Sequence, residues 1–261
     1  MIKQALVKIP LVYKFRIFQL RMKRYFRNFF MKFANERRLD PFPFTIKRHQ
    51  SLLRRKLGSS DPQLQENKIT NLAIAIKSLD GIVIKPGEVF SFWNLIGKPA
   101  ASKGYIEGLL LSQGEVKTGV GGGLCQLANL LFWLALHTPL EIKERHHHSF
   151  DPFPDDQRVL PFGSGASVFY NYIDLQFYNP TNHPFQIRVW LTEQHLKGAI
   201  YCESEWPTSY HVEERNHQFH CIEGKNYRKN EIWRRVVDKR TGKTMQDELM
   251  IKNHSEVKYS I

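Results

Sequence analysis

"GVGGGLCQLANLLFWLAL", residues 119–136, sets four glycines and one cysteine in front of a long apolar run. From Leu124 the run predicts a helix of about four turns at ordinary pitch, with Leu124, Leu127, Leu131 and Leu134 on one face. Apolar residues fill most other positions as well, so this helix is expected to be buried. Three consecutive glycines let the preceding chain take conformations closed to other residues and come close to a neighbour. The stretch fixes the centre of the fold and raises one chemical question: whether Cys125 is a nucleophile, a metal ligand or an inert core thiol.

A cysteine in the first turn of that helix would sit among unpaired N–H groups at the positive end of the helix dipole, which favours the thiolate. The same amides, with Gly121, Gly122 and Gly123, could hold the oxyanion of a tetrahedral intermediate, and Gln126 could add a donor. A nucleophile wants a base and the base an orienting partner. "KERHHHSFDPFPDD" follows the helix closely and offers His148 as general base. Asp174 is a lone acid among apolar neighbours in "YNYIDLQF"; a buried carboxylate needs a partner, and a histidine would serve. Cys125, His148 and Asp174 then have the Cys, His, Asp order of papain-like cysteine hydrolases.

Other readings of the same residues stay open. Cysteine is often buried and inert. Cys125, His146 and His148 could bind zinc, although no Cys-x-x-Cys or His-x-x-x-His spacing supports it. Asp174 could pair with Arg145 or Arg158, or cap a turn. The aromatic residues Phe150, Phe153, Phe162, Phe169 and Tyr170 could line a peptide or glycan groove. The glycine loop has neither the Lys-Ser/Thr of a phosphate loop nor dinucleotide-binding spacing, so no cofactor is expected.

Outward from the centre, "NKITNLAIAIKSL" has helical apolar spacing and "IVIKPGEVFSFW" reads as two short strands joined at Pro86-Gly87. "EGLLLSQGEV", "LEIKE", "ASVFYNYIDLQFY" and the hairpin "FQIRVWLTEQHLKGAIYCE" read as further strands, and the tail from Trp206 as an antiparallel meander turning at Gly224 and Gly242. The predicted fold class is α+β, with a mostly antiparallel sheet. Its predicted divisions are a basic helical segment (1–59), an α+β domain (60–205) and a β-rich extension (206–261). "DPFPFTIKRHQSLLRRKLGSSDPQLQ" reads as a broken bridge between the first two.

The net charge of +13 is not spread evenly. Residues 1–56 hold 16 of the 38 Lys and Arg against only Glu36 and Asp40, a net +14, so the rest of the chain is about neutral. Within that segment Leu11, Phe15, Phe18, Met22, Tyr25 and Phe29 recur at steps of four and three, an apolar stripe on one helix face. Charges interrupt every apolar run well short of the roughly 20 residues that span a bilayer, and no signal-peptide core is present. The helix, residues 9–33, either packs its stripe on the body or lies in an anionic membrane surface. Nucleic acid is not an expected partner. Three cysteines without an export signal make no disulfide framework, which points to a cytoplasmic setting, peripheral on the inner membrane face if the helix meets lipid.

"PGEVFSFWNLIG", "KGYIEG", "GVGGGLCQLANLLFWLALHTPL", "ERHHHSFDPFPDDQRVLPFGSGASVFYNYIDLQFYN" and "NEIWRRVVDKRTGK" resemble the VanW family. The resemblance runs over nearly the whole chain and is densest from Pro86 to Asn179. It implies an association with glycopeptide (vancomycin) resistance and the cell wall. Where the family usually has Gly-x-Asp-Ala-Thr-Val this chain has "GSGASV", with Gly165 in place of the acid, which leaves Asp174 as the candidate carboxylate. Taken together, these readings predict a cysteine-dependent enzyme acting on an amide bond of peptidoglycan or its precursors, or else a non-catalytic accessory protein that binds a cell-wall peptide or glycan.

Overall fold

The computed structural model describes residues 10–54, 61–112, 115–147, 150–151 and 159–259. Its elements are α1 (Pro10–Phe29), β1 (Glu36–Arg37), β2 (Phe44–Leu52), α2 (Gln63–Leu79), β3 (Ile82–Ile84), β4 (Val89–Ser91) and the short α3 (Phe92–Ile96). A hairpin of β5 (Glu107–Ser112) and β6 (Glu115–Val120) precedes α4 (Cys125–Leu136), β7 (Glu141–Glu144) and β8 (Phe150–Asp151). Then come β9 (Gln176–Tyr178), β10 (Phe185–Leu191), β11 (His195–Cys202), β12 (Thr208–Ile222), β13 (Lys225–Asp238) and β14 (Thr244–Val257). The chain is α+β, and its sheets are mostly antiparallel.

The central sheet has the order β1-β3-β10-β11-β2. Successive side chains of a strand point to opposite faces, and in β11 Leu196, Gly198, Ile200 and Cys202 are buried at every second position. Helix α4 lies across β11 and β2, and α2 across β10. Every apolar residue from Leu130 to Leu136 is buried, as the unbroken apolar run predicted; each fully buried leucine contributes about 2 kcal/mol by removal from water. At Gly198 a Cβ would stand 2.9 Å from Leu134 and 3.0 Å from Leu130, so glycine lets the helix settle onto the strand. A smaller sheet, β4-β9-β7, continues the core through the stacked rings of Phe90 and Phe177, 5.1 Å apart.

The structure departs from the sequence reading in four places. "EGLLLSQGEV", expected as one strand, is divided between β5 and the start of β6, which pair with each other. Residues 44–52, expected to be part of a loose bridge, form a nine-residue strand on the edge of the central sheet, paired with β11. That partner lies about 150 residues away, where no local pattern can announce it. Strands β3 and β4 do flank the Pro86-Gly87 turn, but they belong to different sheets. "ASVFYNYIDLQFY" is a strand only at its end, in β9; ahead of it the chain turns back on itself, with the amide of Phe169 donating to the carbonyl of Ile173.

The meander from residue 208 has the expected turns and three long strands, in the order β12-β13-β14-β8. Side chains tie it to the rest. Asn230 and Asn253 donate to the carbonyl of Phe162 at 2.8 and 3.3 Å, and Arg234 donates to the carbonyl of Thr138 at 2.9 Å.

Candidate functional site

Cys125 is the first residue of α4. It is half-buried and packs against the core, with its Sγ 4.0 Å from the carbonyl oxygen of Val168. Burial pushes its thiol above the ordinary value. A helix N-terminus favours the thiolate, whereas burial favours the neutral thiol. His148, the expected base, lies outside the described residues, as do Phe153 and Arg158.

The glycine loop is held by its own hydrogen bonds. The amide of Gly121 donates to Ile106, that of Gly122 to Gly119 and that of Gln126 to Gly123, at 3.0, 3.0 and 3.1 Å. The side chain of Asn71 donates to the carbonyls of Gly122 and Ile106. A Cβ on Gly122 would stand 2.1 Å from the carbonyl of Gly108, and one on Gly123 would stand 2.2 Å from the stem of Lys68. The glycines therefore serve close backbone approach, and three amides in this turn already have acceptors. The side chain of Gln126 faces β2, donating to Ser51 at 2.9 Å and to the carbonyl of Leu52 at 2.8 Å.

Asp174 is fully buried, and among the described residues its partners include neither a histidine nor Arg145. Its carboxylate accepts from Ser91 Oγ at 2.6 Å, Gln176 Nε2 at 2.9 Å and the amides of Trp93 and Leu175. It thus sits at the start of α3, whose cap is Ser91. Its ionic partner is Arg24 of α1, at 3.6 Å. Burial raises its carboxyl above the usual aspartate value, against the pull of Ser91, Trp93, Gln176 and Arg24. Arg145, one of the partners expected for it, donates instead to the carbonyls of Gly165 and Gly163, and its guanidinium lies over the ring of Phe132.

Arg24 also meets Glu144, which pairs with Arg27 and accepts from His146 Nε2 at 3.1 Å. Burial opposes ionisation of Glu144, but hydrogen bonds from His146, Arg24 and the Asp174 amide hold its carboxyl well below the usual range. Arg24, Glu144 and Asp174 are a buried charge cluster, with the exposed Arg27 at its margin, that fastens α1 to the body. The sequence reading missed it, because Arg24 looked like one more cation on a solvated helix face.

The groove aromatics fall into two places. Tyr170 lies under α1, edge-on to Trp93 at 5.6 Å and beneath Arg21, with Phe169 stacked on Tyr172 close by. Phe150 and Phe162 belong with the meander, beneath Lys258 and Arg228 respectively. Among the described residues no group of three or more His, Cys, Asp or Glu is placed to hold a metal ion.

An open cleft of about 710 Å³, with no counterpart in the sequence reading, lies between β7 and β14. Its floor is Phe132, Leu136 and Leu140, and its rims carry Glu141, Lys143, Glu248 and Lys252, with Arg234 paired to Glu248 at 2.7 Å. Both flanking strands have an open edge among the described residues. β7 pairs only with β9, and β14 pairs with β13 along its length and with β8 only at Glu256 and Val257.

A family described as "VanW like protein" matches residues 67–201, a span that holds the glycine loop, α4, Glu144 and Asp174 but not α1 or the meander. The chain is 34% identical over 197 residues to the vancomycin B-type resistance protein VanW of Enterococcus faecalis, covering 76% of this chain and 72% of that protein. It is 34% identical over 121 residues to the uncharacterized protein YoaR of Bacillus subtilis, covering 45% of this chain and 37% of that protein. No solved structure matches it. With more than half of its length matched by the family and three quarters aligned to a curated relative, the chain belongs to the VanW family.

Proposed function

We propose that this protein is an accessory factor of glycopeptide resistance that binds a cell-wall peptide as an added strand in the cleft between β7 and β14, without making or breaking a bond. The link to glycopeptide resistance rests on the likeness to the vancomycin resistance protein VanW. The cleft with its two open strand edges carries the binding reading. An extended peptide entering there would gain main-chain hydrogen bonds from an edge, while the apolar floor and charged rims select its side chains. Cysteine catalysis has weaker support: it needs Cys125 as a thiolate, and burial works against that form.

The test is calorimetric titration of a soluble cell-wall stem peptide, with a copy N-methylated along its backbone as control. Binding that the N-methyl copy loses, and that the pair Lys143→Glu and Lys252→Glu weakens about tenfold, is the expected result. Equal affinity for both peptides would remove the strand-addition reading. Peptide cleavage seen by mass spectrometry, and abolished by Cys125→Ser, would put catalysis in its place.

A further inference from the structure

Helix α1 carries two stripes on opposite sides. Ile17, Leu20, Arg24, Asn28 and Met31 are buried or half-buried and form the side held on the body. Phe15, Phe18, Met22, Tyr25 and Phe29 begin two residues earlier, about 200° round the helix at 3.6 residues per turn, and all are exposed. Phe29 and Phe30 are 77% and 86% exposed. The expectation that a docked helix would bury its aromatic stripe is thus reversed: the charge cluster at Arg24 holds the back, and the rings face outward. Lys14, Arg16 and Lys23, also exposed, lie between the two stripes on either flank.

A contiguous exposed aromatic surface marks an interaction site. We propose that its occupant is an anionic lipid surface, with Phe15, Phe18, Tyr25 and Phe29 in the headgroup boundary and Lys14, Arg16 and Lys23 against the lipid charge. A second copy of the chain is a poorer fit, because it would set one +14 segment against another. Among the described residues no helix is long and apolar enough to cross a bilayer. Docked along the body by Arg24 and Arg27, α1 offers its rings in one plane without further ordering. No residue of α1 lines the cleft, although Glu144, which does, pairs with Arg24 and Arg27, so the test is read on the exposed side chains of α1 itself.

The full chain is sedimented with phosphatidylcholine vesicles, with and without phosphatidylglycerol, at low and high salt. The wild type should partition onto the phosphatidylglycerol vesicles and come off as salt rises. Removing two cations, Lys14→Ser with Lys23→Ser, should lower partitioning about fivefold per charge. Phe18→Ser with Phe29→Ser should lower it at least about tenfold, with circular dichroism unchanged because both rings are mostly exposed. Aromatic or charge variants that bind like the wild type, or equal binding to both vesicle types, would overturn the proposal. So would a wild-type dimer that the aromatic variant reduces to a monomer by light scattering.

Discussion

Nη1 of Arg24 lies 3.6 Å from Oδ2 of Asp174, and Nη2 of the same guanidinium pairs with Glu144. One side chain from the start of the protein thereby compensates two buried carboxylates that stand at the edge of the small β4-β9-β7 sheet. Because the amide of Asp174 also donates to Glu144, at 3.0 Å, the cluster closes on itself and α1 cannot leave without exposing or stranding charge.

Arg24→Ala should therefore be severe. Breaking a buried ion pair from one side leaves uncompensated charge and costs about 3–5 kcal/mol. Urea unfolding should show that loss, together with faster proteolysis between α1 and β2. Arg24→Lys should recover only part of it, since an ammonium cannot span both carboxylates as a planar guanidinium does. An unchanged urea midpoint in Arg24→Ala would mean that the helix is held by something else.

Arg24 also marks the boundary of what could be read from the sequence. The buried helix α4, the flanking glycines, the β10–β11 hairpin and the C-terminal meander were legible because each is announced by local spacing or a local turn. The pairing of β2 with β11 and of Arg24 with Asp174 was not, because each joins residues about 150 positions apart. The rule that Asp174 must have a partner was sound, but local sequence could not name Arg24 as that partner. The cleft was invisible for the same reason, being formed by the unused edges of two strands about 100 residues apart.

Two glycines separate close approach from backbone conformation. Gly122→Ala would drive a Cβ to 2.1 Å from the Gly108 carbonyl, with rigid backbone on both sides. A loss of more than about 3 kcal/mol, or failure to fold, is expected. Gly87 has a φ of +76° but open space around it, so Gly87→Ala should cost only about 1 kcal/mol. Thermal unfolding of the two variants side by side checks the contrast, and equal losses would contradict it.

The three thiols should react in a fixed order. Cys221 is exposed, Cys125 half-buried with its thiol pushed up, and Cys202 buried. Iodoacetamide at neutral pH, followed by peptide mapping, should label Cys221 first and leave Cys125 slow until the protein unfolds. Labelling of Cys125 ahead of Cys221 would mean that its thiolate is populated, against the effect of burial.

His137, which ends α4, sets a pH dependence of stability. It is buried and bonded to the carbonyl of Trp133 at 2.8 Å, and burial lowers its pKa from 6.5 to about 4, with help from the charge of Lys47. Above pH 6.5 the ring is neutral in the folded and unfolded chains alike, and the full stability is present. Between 6.5 and 4 the unfolded chain takes up a proton that the folded one refuses, so stability falls as pH drops. The fall should amount to about 3 kcal/mol and level off below pH 4. Urea midpoints measured across this window should therefore decline more steeply for the wild type than for His137→Asn, which cannot titrate. Parallel curves for the two proteins would show that this ring is protonated in the native state or contributes nothing.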